Sequence, residues 1–162
     1  MDLIREIRET ELADCLAVIR RSFETVAADF SLTRENCPGH TSFLAPERLR
    51  ADFAAGWQMV AAFREGEMTG FYALSREAAD CFELHHLAVL PVYRHGGLGR
   101  LLLNDAKARA RTAGAGKIAI GIIEDSVVLK RWYMENGFVP VGTKQFSHLP
   151  FTVGFLEWRA GE

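Results

Sequence analysis

A glycine-rich stretch that follows an apolar run holds the residues best suited to chemistry. Residues 81–90 form a run typical of a buried strand, and glycines follow at positions 96, 97 and 99, just before a helical pattern. Backbone N–H groups at the start of a helix have no intrahelical acceptor, so together they form a site for an anion. Arg94 and Arg100 add positive charge at the rim. The stretch predicts binding of a diphosphate or a similar anion.

Four alternatives bear on this glycine turn. A P-loop requires Gly-Lys-Ser/Thr, which is absent, and the residues from Gly97 to Leu102 lack the third glycine of a dinucleotide-binding fingerprint, so these two patterns are excluded. A tight strand-to-helix turn without a ligand stays open. A general phosphate-binding α/β domain, which would bind ATP or NAD, also stays open.

Two motifs together resemble those of a known enzyme superfamily. Arg94-x-x-Gly97-x-Gly99, preceded by Leu87-x-Val89-x-Pro91-x-Tyr93, resembles the acetyl-CoA signature of GNAT-type N-acetyltransferases. Tyr133-x-x-x-Gly137-Phe138 resembles the second signature of that superfamily, in the same order and at the usual separation. The resemblance spans residues 57–158. It implies a GNAT-like α/β fold, a twisted mixed sheet of about six to seven strands flanked by helices. It also implies transfer of acetyl from acetyl-CoA to a primary amine by direct attack in a ternary complex.

The resemblance assigns the cofactor contacts residue by residue. The pantetheine arm would pair with the backbone of Leu87, Ala88 and Val89 like an added strand, and the thioester would enter where strands 81–90 and 117–123 diverge. Ser126 stands where many members of the superfamily have an asparagine that contacts the cofactor. The pyrophosphate would bind N–H groups beside Arg94, namely those of His95, Gly96, Gly97, Leu98, Gly99 and Arg100.

The resemblance also implies an acid and a base. Tyr133 would protonate the departing thiolate, since a phenol is protonated at neutral pH; the alternative is a tyrosine of the core. Glu83 would take the proton from the amine, with His85 as a rival base; the alternative is a glutamate facing solvent. Strand alternation predicts that Glu83, His85, Leu87 and Val89 share one face. A backbone N–H within residues 87–89 would stabilise the oxyanion.

The acyl acceptor is specified less closely. Phe23, Phe30 and His148 are candidate substrate-binding residues, because in the superfamily the corresponding segments border the acceptor site; the alternatives are packing aromatics and an exposed loop histidine. A polyamine, an amino acid, an aminosugar, a protein N-terminus and a lysine all remain possible acceptors. The spacings Cys37-x-x-His40 and Cys81-x-x-x-His85 do not match a zinc site, so no metal is expected.

The remaining pattern predicts the elements that position these residues. Strands are expected at 3–8, 57–64, 68–74, 81–90, 117–123, 138–146 and 152–158. Helices are expected at 11–23, 46–53, 99–114 and 126–136, with Thr10 and Ser126 as N-caps of the first and last.

Composition sets the outer limits of the interpretation. The chain has 162 residues, enough for one domain over 1–162, and a formal net charge of −2, which argues against nucleic-acid or anionic-membrane partners. The three cysteines are widely spaced and no apolar leader or membrane-length segment is seen, so we expect a cytoplasmic protein. Exposed final strands make a homodimer plausible. A non-catalytic acyl-CoA-binding sensor or interaction module is the alternative function.

Overall fold

A computed structural model describes residues 2–161, so the end residues of the predicted single domain, Met1 and Glu162, lie outside it. Seven strands and four α-helices make up the fold. The strands are β1 (Asp2–Glu6), β2 (Gln58–Arg64), β3 (Glu67–Ala78), β4 (Cys81–Val89), β5 (Lys117–Ile123), β6 (Val139–Gln145) and β7 (Thr152–Arg159). The helices are α1 (Leu12–Asp29), α2 (Pro46–Ala54), α3 (Leu98–Thr112) and α4 (Val127–Glu135). No helix within residues 2–161 combines the length and the apolar character needed to cross a membrane.

One mixed sheet contains all seven strands, in the order β1-β2-β3-β4-β5-β7-β6. Among the strands of residues 2–161, only β4 and β5 pair in parallel, and they do so over a short segment in which Cys81–Glu83 face Lys117–Ala119. Beyond Glu83 the two strands diverge and leave a gap at the centre of the sheet. The predicted mixed α/β sheet is confirmed, and the predicted divergence of strands 81–90 and 117–123 is present.

Helices cover the two faces of the sheet. On one face α3 buries Leu102 and Ala106 against Tyr72 and Leu84, in a core that also includes Tyr133 of α4. On the other face α1 and α2 form a second core; it contains Ile19, Leu49, Phe71 and Ala88. Gly70 of β3 allows α3 to lie close, since a Cβ there would be 2.8 Å from Leu102 Cδ1.

The first helix differs from its prediction at both ends. A 3-10 turn over Glu9–Glu11 precedes α1, so Thr10 lies inside that turn and is not the N-cap. At the other end α1 continues past Phe23 to Asp29. The extension is stabilised because Ala27 is buried in a third cluster with Cys37 and Ile123, a contact that the periodicity of α1 alone does not reveal.

The alternation predicted for β4 is wrong because of a β-bulge. Ala73 pairs with His85, but Phe71 pairs with Ala88, so β4 gains one residue relative to β3. His86 has a φ of 53°, in the left-handed region. An extra residue exchanges the faces of every residue that follows it. Leu87 and Val89 therefore pack toward α3, whereas His85 lies on the face covered by α1 and α2.

Candidate active site

The connection from β4 to α3 presents a run of backbone donors. Within residues 2–161, none of the amide N–H groups of residues 95–100 donates to a protein acceptor. Gly97 is the N-cap of α3 with a φ of 86°, a conformation that glycine adopts without strain. His95, Gly96 and Gly97 are exposed. Adjacent free donors at a helix start fit the oxygens of a pyrophosphate, as the predicted anion site requires.

Gly99 determines how closely α4 approaches this connection. A Cβ at Gly99 would lie 3.4 Å from Cζ2 of Trp132 and 3.8 Å from Cγ2 of Val89. The indole of Trp132 therefore packs over the first turn of α3, and Tyr133 follows it directly on α4. The two signature motifs are brought into contact at this point.

Tyr133 is buried in the core on the α3 face of the sheet. Its ring makes edge contacts with Trp132 and Phe138, at centroid distances of 5.0 and 5.3 Å. No group within residues 2–161 accepts a hydrogen bond from its hydroxyl. In that range the only fully buried side-chain oxygen without a partner is Oε2 of Glu124, so the Tyr133 hydroxyl is not completely closed off. Burial raises the pKa of Tyr133 above its usual range. The residue can therefore donate a proton over the whole physiological pH range.

Glu83 lies on the opposite face, at the last residue of β4 that pairs with β5. Its carboxylate is 3.9 Å from Nε2 of His85, and its oxygen, the ring nitrogen and a Glu77 oxygen all lie within 4.8 Å of one another. Partial burial, followed by the hydrogen bond and the charge of Glu77, raises the pKa of Glu83 to about 7. A carboxylate with this pKa is suited to accept a proton at neutral pH.

His85 is held in a different electrostatic state. Its ring stacks on Trp57 at a centroid distance of 4.1 Å, and Nε2 lies 2.8 Å from the hydroxyl of Ser75. Burial lowers the pKa of His85 to about 4. The ring is therefore neutral at pH 7 and a weaker base than Glu83.

The backbone groups of Leu87, Ala88 and Val89, predicted to pair with the pantetheine arm, are not equally free to bind it. Val89 donates its N–H to Oγ of Ser22 at 3.2 Å, and its carbonyl accepts from Nε of Arg94 at 3.2 Å. The Arg94 guanidinium, expected at the rim of the anion site, turns toward α1. Leu87 and Ala88 form no comparable contact with a side chain among residues 2–161.

Ser126 does not cap α4 with its side chain. Its N–H donates to the Ile123 carbonyl, and its own carbonyl accepts from Lys130, so the backbone alone makes the entry to the helix. Ser126 therefore occupies the predicted N-cap position, but without the side-chain hydrogen bond of a capping residue. The hydroxyl, half-buried at the end of β5, is left for the predicted contact with the cofactor, which stays a prediction.

The predicted acceptor residues lie in two places. Phe23 makes an edge contact with the His40 ring at 6.1 Å, on the segment between α1 and α2. Phe30 packs on the third cluster, to which Leu149 of the β6–β7 loop also belongs. His148 is exposed on that loop. Phe30 and the β6–β7 loop thus meet near the end of β5, whereas Phe23 lies nearer the N-terminus of α1.

Three residues with clear contacts in the site were missed in the sequence. Ser22 lies on the buried stripe of α1, three residues after Ile19, and a polar residue in such a stripe signals a specific partner. Glu77 follows Ser75 at strand spacing, a signal lost because β3 was predicted to end at residue 74. Trp57 precedes β2 and carries no motif.

Metal ligation has one geometric candidate. In the part of the chain that the structure describes, Glu77, Glu83 and His85 are the one group of three possible ligands whose donor atoms lie within 4.8 Å of one another. These are the candidate base Glu83, its rival His85 and the carboxylate of Glu77, which raises the pKa of Glu83. The expectation of no metal stays a prediction.

Comparison with known proteins gives consistent results. Residues 26–152 match the family model described as acetyltransferase (GNAT) domain. The amino-acid acetyltransferase of Ectopseudomonas mendocina (strain ymp) is 41% identical over 78 residues, which are 48% of this chain and 17% of that protein. This chain thus spans about a sixth of the length of that curated relative.

Solved structures resemble the whole chain. The ribosomal-protein-S18-alanine N-acetyltransferase from Escherichia coli superposes with a TM-score of 0.80 at 15% identity, covering 100% of this chain and 96% of that one. The PaiA N-acetyltransferase from Thermoplasma acidophilum, crystallised in complex with coenzyme A, has a TM-score of 0.78 at 21% identity, covering 98% and 99%. At these identities the likeness establishes the fold.

Proposed function

Because this chain belongs to the acetyltransferase (GNAT) family, we propose that it transfers acetyl from acetyl-CoA to a primary amine. The observation that carries the proposal is the position of the free amides. Residues 95–100 present unpaired N–H groups at the end of β4, the strand that leaves β5 after Glu83. A pyrophosphate bound there allows the attached arm to run along β4 into the gap. The residues present therefore fit the cofactor.

The acid and the base would act from opposite faces of the sheet. Glu83 takes a proton from the ammonium group of the acceptor, and the free amine attacks the thioester carbonyl. A carbon–nitrogen bond forms, the carbon–sulfur bond breaks, and Tyr133 donates its proton to the departing thiolate. The attacking nitrogen, positively charged after the new bond forms, loses its second proton to water, and Tyr133 is reprotonated from water. The N–H of Val89 is engaged with Ser22 and that of Ala88 faces Phe71 of β3, so within residues 87–89 the N–H of Leu87 is the one proposed to stabilise the oxyanion. Holding amine and thioester together in the gap supplies much of the rate.

The acceptor class follows only from the relatives. One relative is named for amino acids and one structural neighbour for the alanine of a ribosomal protein. Both names refer to an amino acid, free or within a protein, so free amino acids and peptides are the first acceptors to screen. Phe30 and the β6–β7 loop with His148 would border the acceptor, and Phe23 would contact it from α1.

Location and assembly are further proposals. Cys15, Cys37 and Cys81 are all unpaired thiols, which suits the reducing cytoplasm. Every residue of β6 is exposed, and Val139 and Val141 leave apolar surface on this edge strand. A homodimer through β6 would cover that edge.

Calorimetric titration with acetyl-CoA, CoA and ATP in parallel tests the cofactor. We expect micromolar binding of acetyl-CoA and CoA and none of ATP. Thiol release with a panel of amino acids, peptides and polyamines then tests catalysis. If ATP binds and acetyl-CoA does not, the proposal is wrong. If acetyl-CoA binds but no amine releases thiol, the non-catalytic module is favoured.

A further inference from the structure

The end of β4 lacks a strand neighbour on one side. Leu90 N–H donates to the Thr69 carbonyl of β3 at 3.0 Å, and the preceding pair is Val89 opposite Gly70. Backbone groups alternate in direction along a strand, so the N–H and C=O of Val89 point away from β3, into the gap that β5 has left. Unpaired backbone groups at such a place are costly when they are buried.

Two side chains replace the missing strand at Val89. Oγ of Ser22, on α1, accepts from the Val89 N–H at 3.2 Å, and Nε of Arg94 donates to the Val89 carbonyl at 3.2 Å. Arg94 also binds Ser22 directly, since Nη2 of Arg94 donates to the carbonyl of Ser22 at 2.7 Å and to its Oγ at 3.3 Å. Ser22 is only 6% exposed. The contacts are therefore shielded from competing water.

Arg94 has little left to offer an anion directly. Its remaining terminal nitrogen, Nη1, donates to Oγ1 of Thr25 at 3.0 Å. All three nitrogens of the guanidinium thus have acceptors on α1 or β4, although the residue immediately precedes the free amides of residues 95–100. Each of these acceptors is a neutral oxygen, and no carboxylate within residues 2–161 forms an ion pair with Arg94.

We propose that Arg94 and Ser22 act as one positioning pair, which fixes the end of β4 and the start of the phosphate-binding loop relative to α1, and that Arg94 is not itself a ligand of the anion. The inference rests on the proposed function for its effect on acetyl-CoA. Arg94 reaches the site through backbone contacts, so its geometry matters more than its charge. A lysine at position 94 would keep the charge but lose the forked contacts.

A double-mutant cycle on acetyl-CoA affinity tests the pair. Arg94→Lys and Ser22→Ala should each weaken binding about tenfold by calorimetry, because each leaves Val89 partly unpaired. The double variant should bind acetyl-CoA at most about threefold more weakly than the worse single variant, because both changes break one network. Ser22→Thr, which keeps the hydroxyl, should restore most of the affinity. Multiplied losses, or wild-type affinity in Arg94→Lys, would overturn the proposal.

Ser42→Ala is the matched control, since Ser42 is also 6% exposed and its hydroxyl also has a side-chain partner, Nδ1 of His40 at 2.7 Å. Its acetyl-CoA affinity should stay within about twofold of the wild type.

A second measurement needs no ligand. Hydrogen exchange of the Val89 amide should be at least about tenfold faster in Ser22→Ala, and also faster in Arg94→Lys, although Arg94 does not touch that N–H. Unchanged exchange in Arg94→Lys contradicts the proposal. Failure of the wild type to bind acetyl-CoA would instead remove the proposed function, and the exchange result would still decide whether the pair positions Val89.

Discussion

The two residues proposed for proton transfer owe their different pKa values to different surroundings. Tyr133 is buried among Trp132 and Phe138, and no charged group within residues 2–161 offsets its burial. Glu83 is only partly buried, but the neighbouring carboxylate of Glu77 further disfavours its charged form. One group is therefore kept protonated at neutral pH, while the other titrates close to it. That separation is what a donor and an acceptor of protons require.

Tyr133→Phe tests the acid. The ring and its packing stay, but the proton donor is lost, so kcat should fall about 10²-fold. The Kd for acetyl-CoA by calorimetry should stay within about threefold. An unchanged kcat would show that the thiolate leaves without help from this hydroxyl.

Glu83→Gln tests the base through the pH profile. A base acts when deprotonated, so kcat/KM should rise with pH through about 7 in the wild type. This limb should disappear in Glu83→Gln, with a loss of about 10- to 100-fold at pH 7.5. A profile that keeps the same limb would assign it to the acceptor amine.

Glu77→Gln is the companion variant. Removing the Glu77 charge should lower the pKa of Glu83, so the rising limb should move to lower pH while the plateau rate is kept. Burial, the larger cause of the raised pKa, remains, and the shift should therefore be partial. A limb that does not move would mean that Glu77 has no electrostatic effect on the base.

At the scale of elements, the connection from β4 to α3 combines a bulge, a left-handed glycine and a helix start. The bulge at His86 turns Leu87 and Val89 toward α3, and Gly97 then aligns the free amides of residues 95–100. A site made of backbone groups depends on the shape of the chain more than on side-chain identity. Substitutions that change this shape should therefore lower the affinity for acetyl-CoA.

Gly97→Ala tests that dependence. A Cβ at a φ of 86° costs about 1 kcal/mol or more, so the turn should relax and acetyl-CoA affinity should fall about tenfold. Gly96→Ala is the matched comparison, because its φ is not positive and a Cβ there meets nothing closer than 3.9 Å. Its loss should be clearly smaller. Equal losses would point to lost space for the phosphates instead of the turn.

At the scale of the whole molecule, two partly buried histidine rings on β4 resist protonation. Burial lowers the pKa of both His85 and His86 to about 4, from an ordinary value of 6.5. The unfolded chain binds these protons more readily than the native protein, so stability should fall as pH drops from about 6.5 toward 4. Glu83 acts in the other direction, because its raised pKa makes the native state gain a proton between about 7 and 4.5.

Urea unfolding at pH 7 and pH 5 measures the balance. Glu83 is 41% exposed, so solvent screening reduces its contribution and the two rings together should outweigh it. The free energy of unfolding should therefore be lower at pH 5, by on the order of 2 kcal/mol. His86→Asn should reduce this difference, because it removes one titrating ring. Asparagine is chosen because it tolerates the left-handed backbone at position 86. Glu83→Gln should enlarge it. A wild type that is equally stable at both pH values would show that the rings protonate without cost.

Local patterns in the sequence were sufficient to predict the elements and the family, and they located the free backbone donors of residues 95–100. Apolar periodicity located every strand and all four α-helices, and β5 matches its predicted bounds at both ends. The family prediction is confirmed. The sequence could support it because the motifs around Gly97 and Tyr133 are short and depend on residue types at fixed spacing. Their chemistry is largely backbone chemistry, which neighbouring residues determine.

Contacts between distant segments decided what lies around those motifs. The bulge at His86 depends on how β4 pairs with β3, and the predicted face of Leu87 and Val89 was therefore wrong. The proximity of Glu77 to Glu83 depends on an extended β3. Arg94 reaches Ser22 and Thr25, about 70 residues away in the chain, only because α1 crosses the end of β4. Such contacts have no signature in local spacing, because they arise when the sheet assembles and brings its unpaired groups to the nearest donors and acceptors.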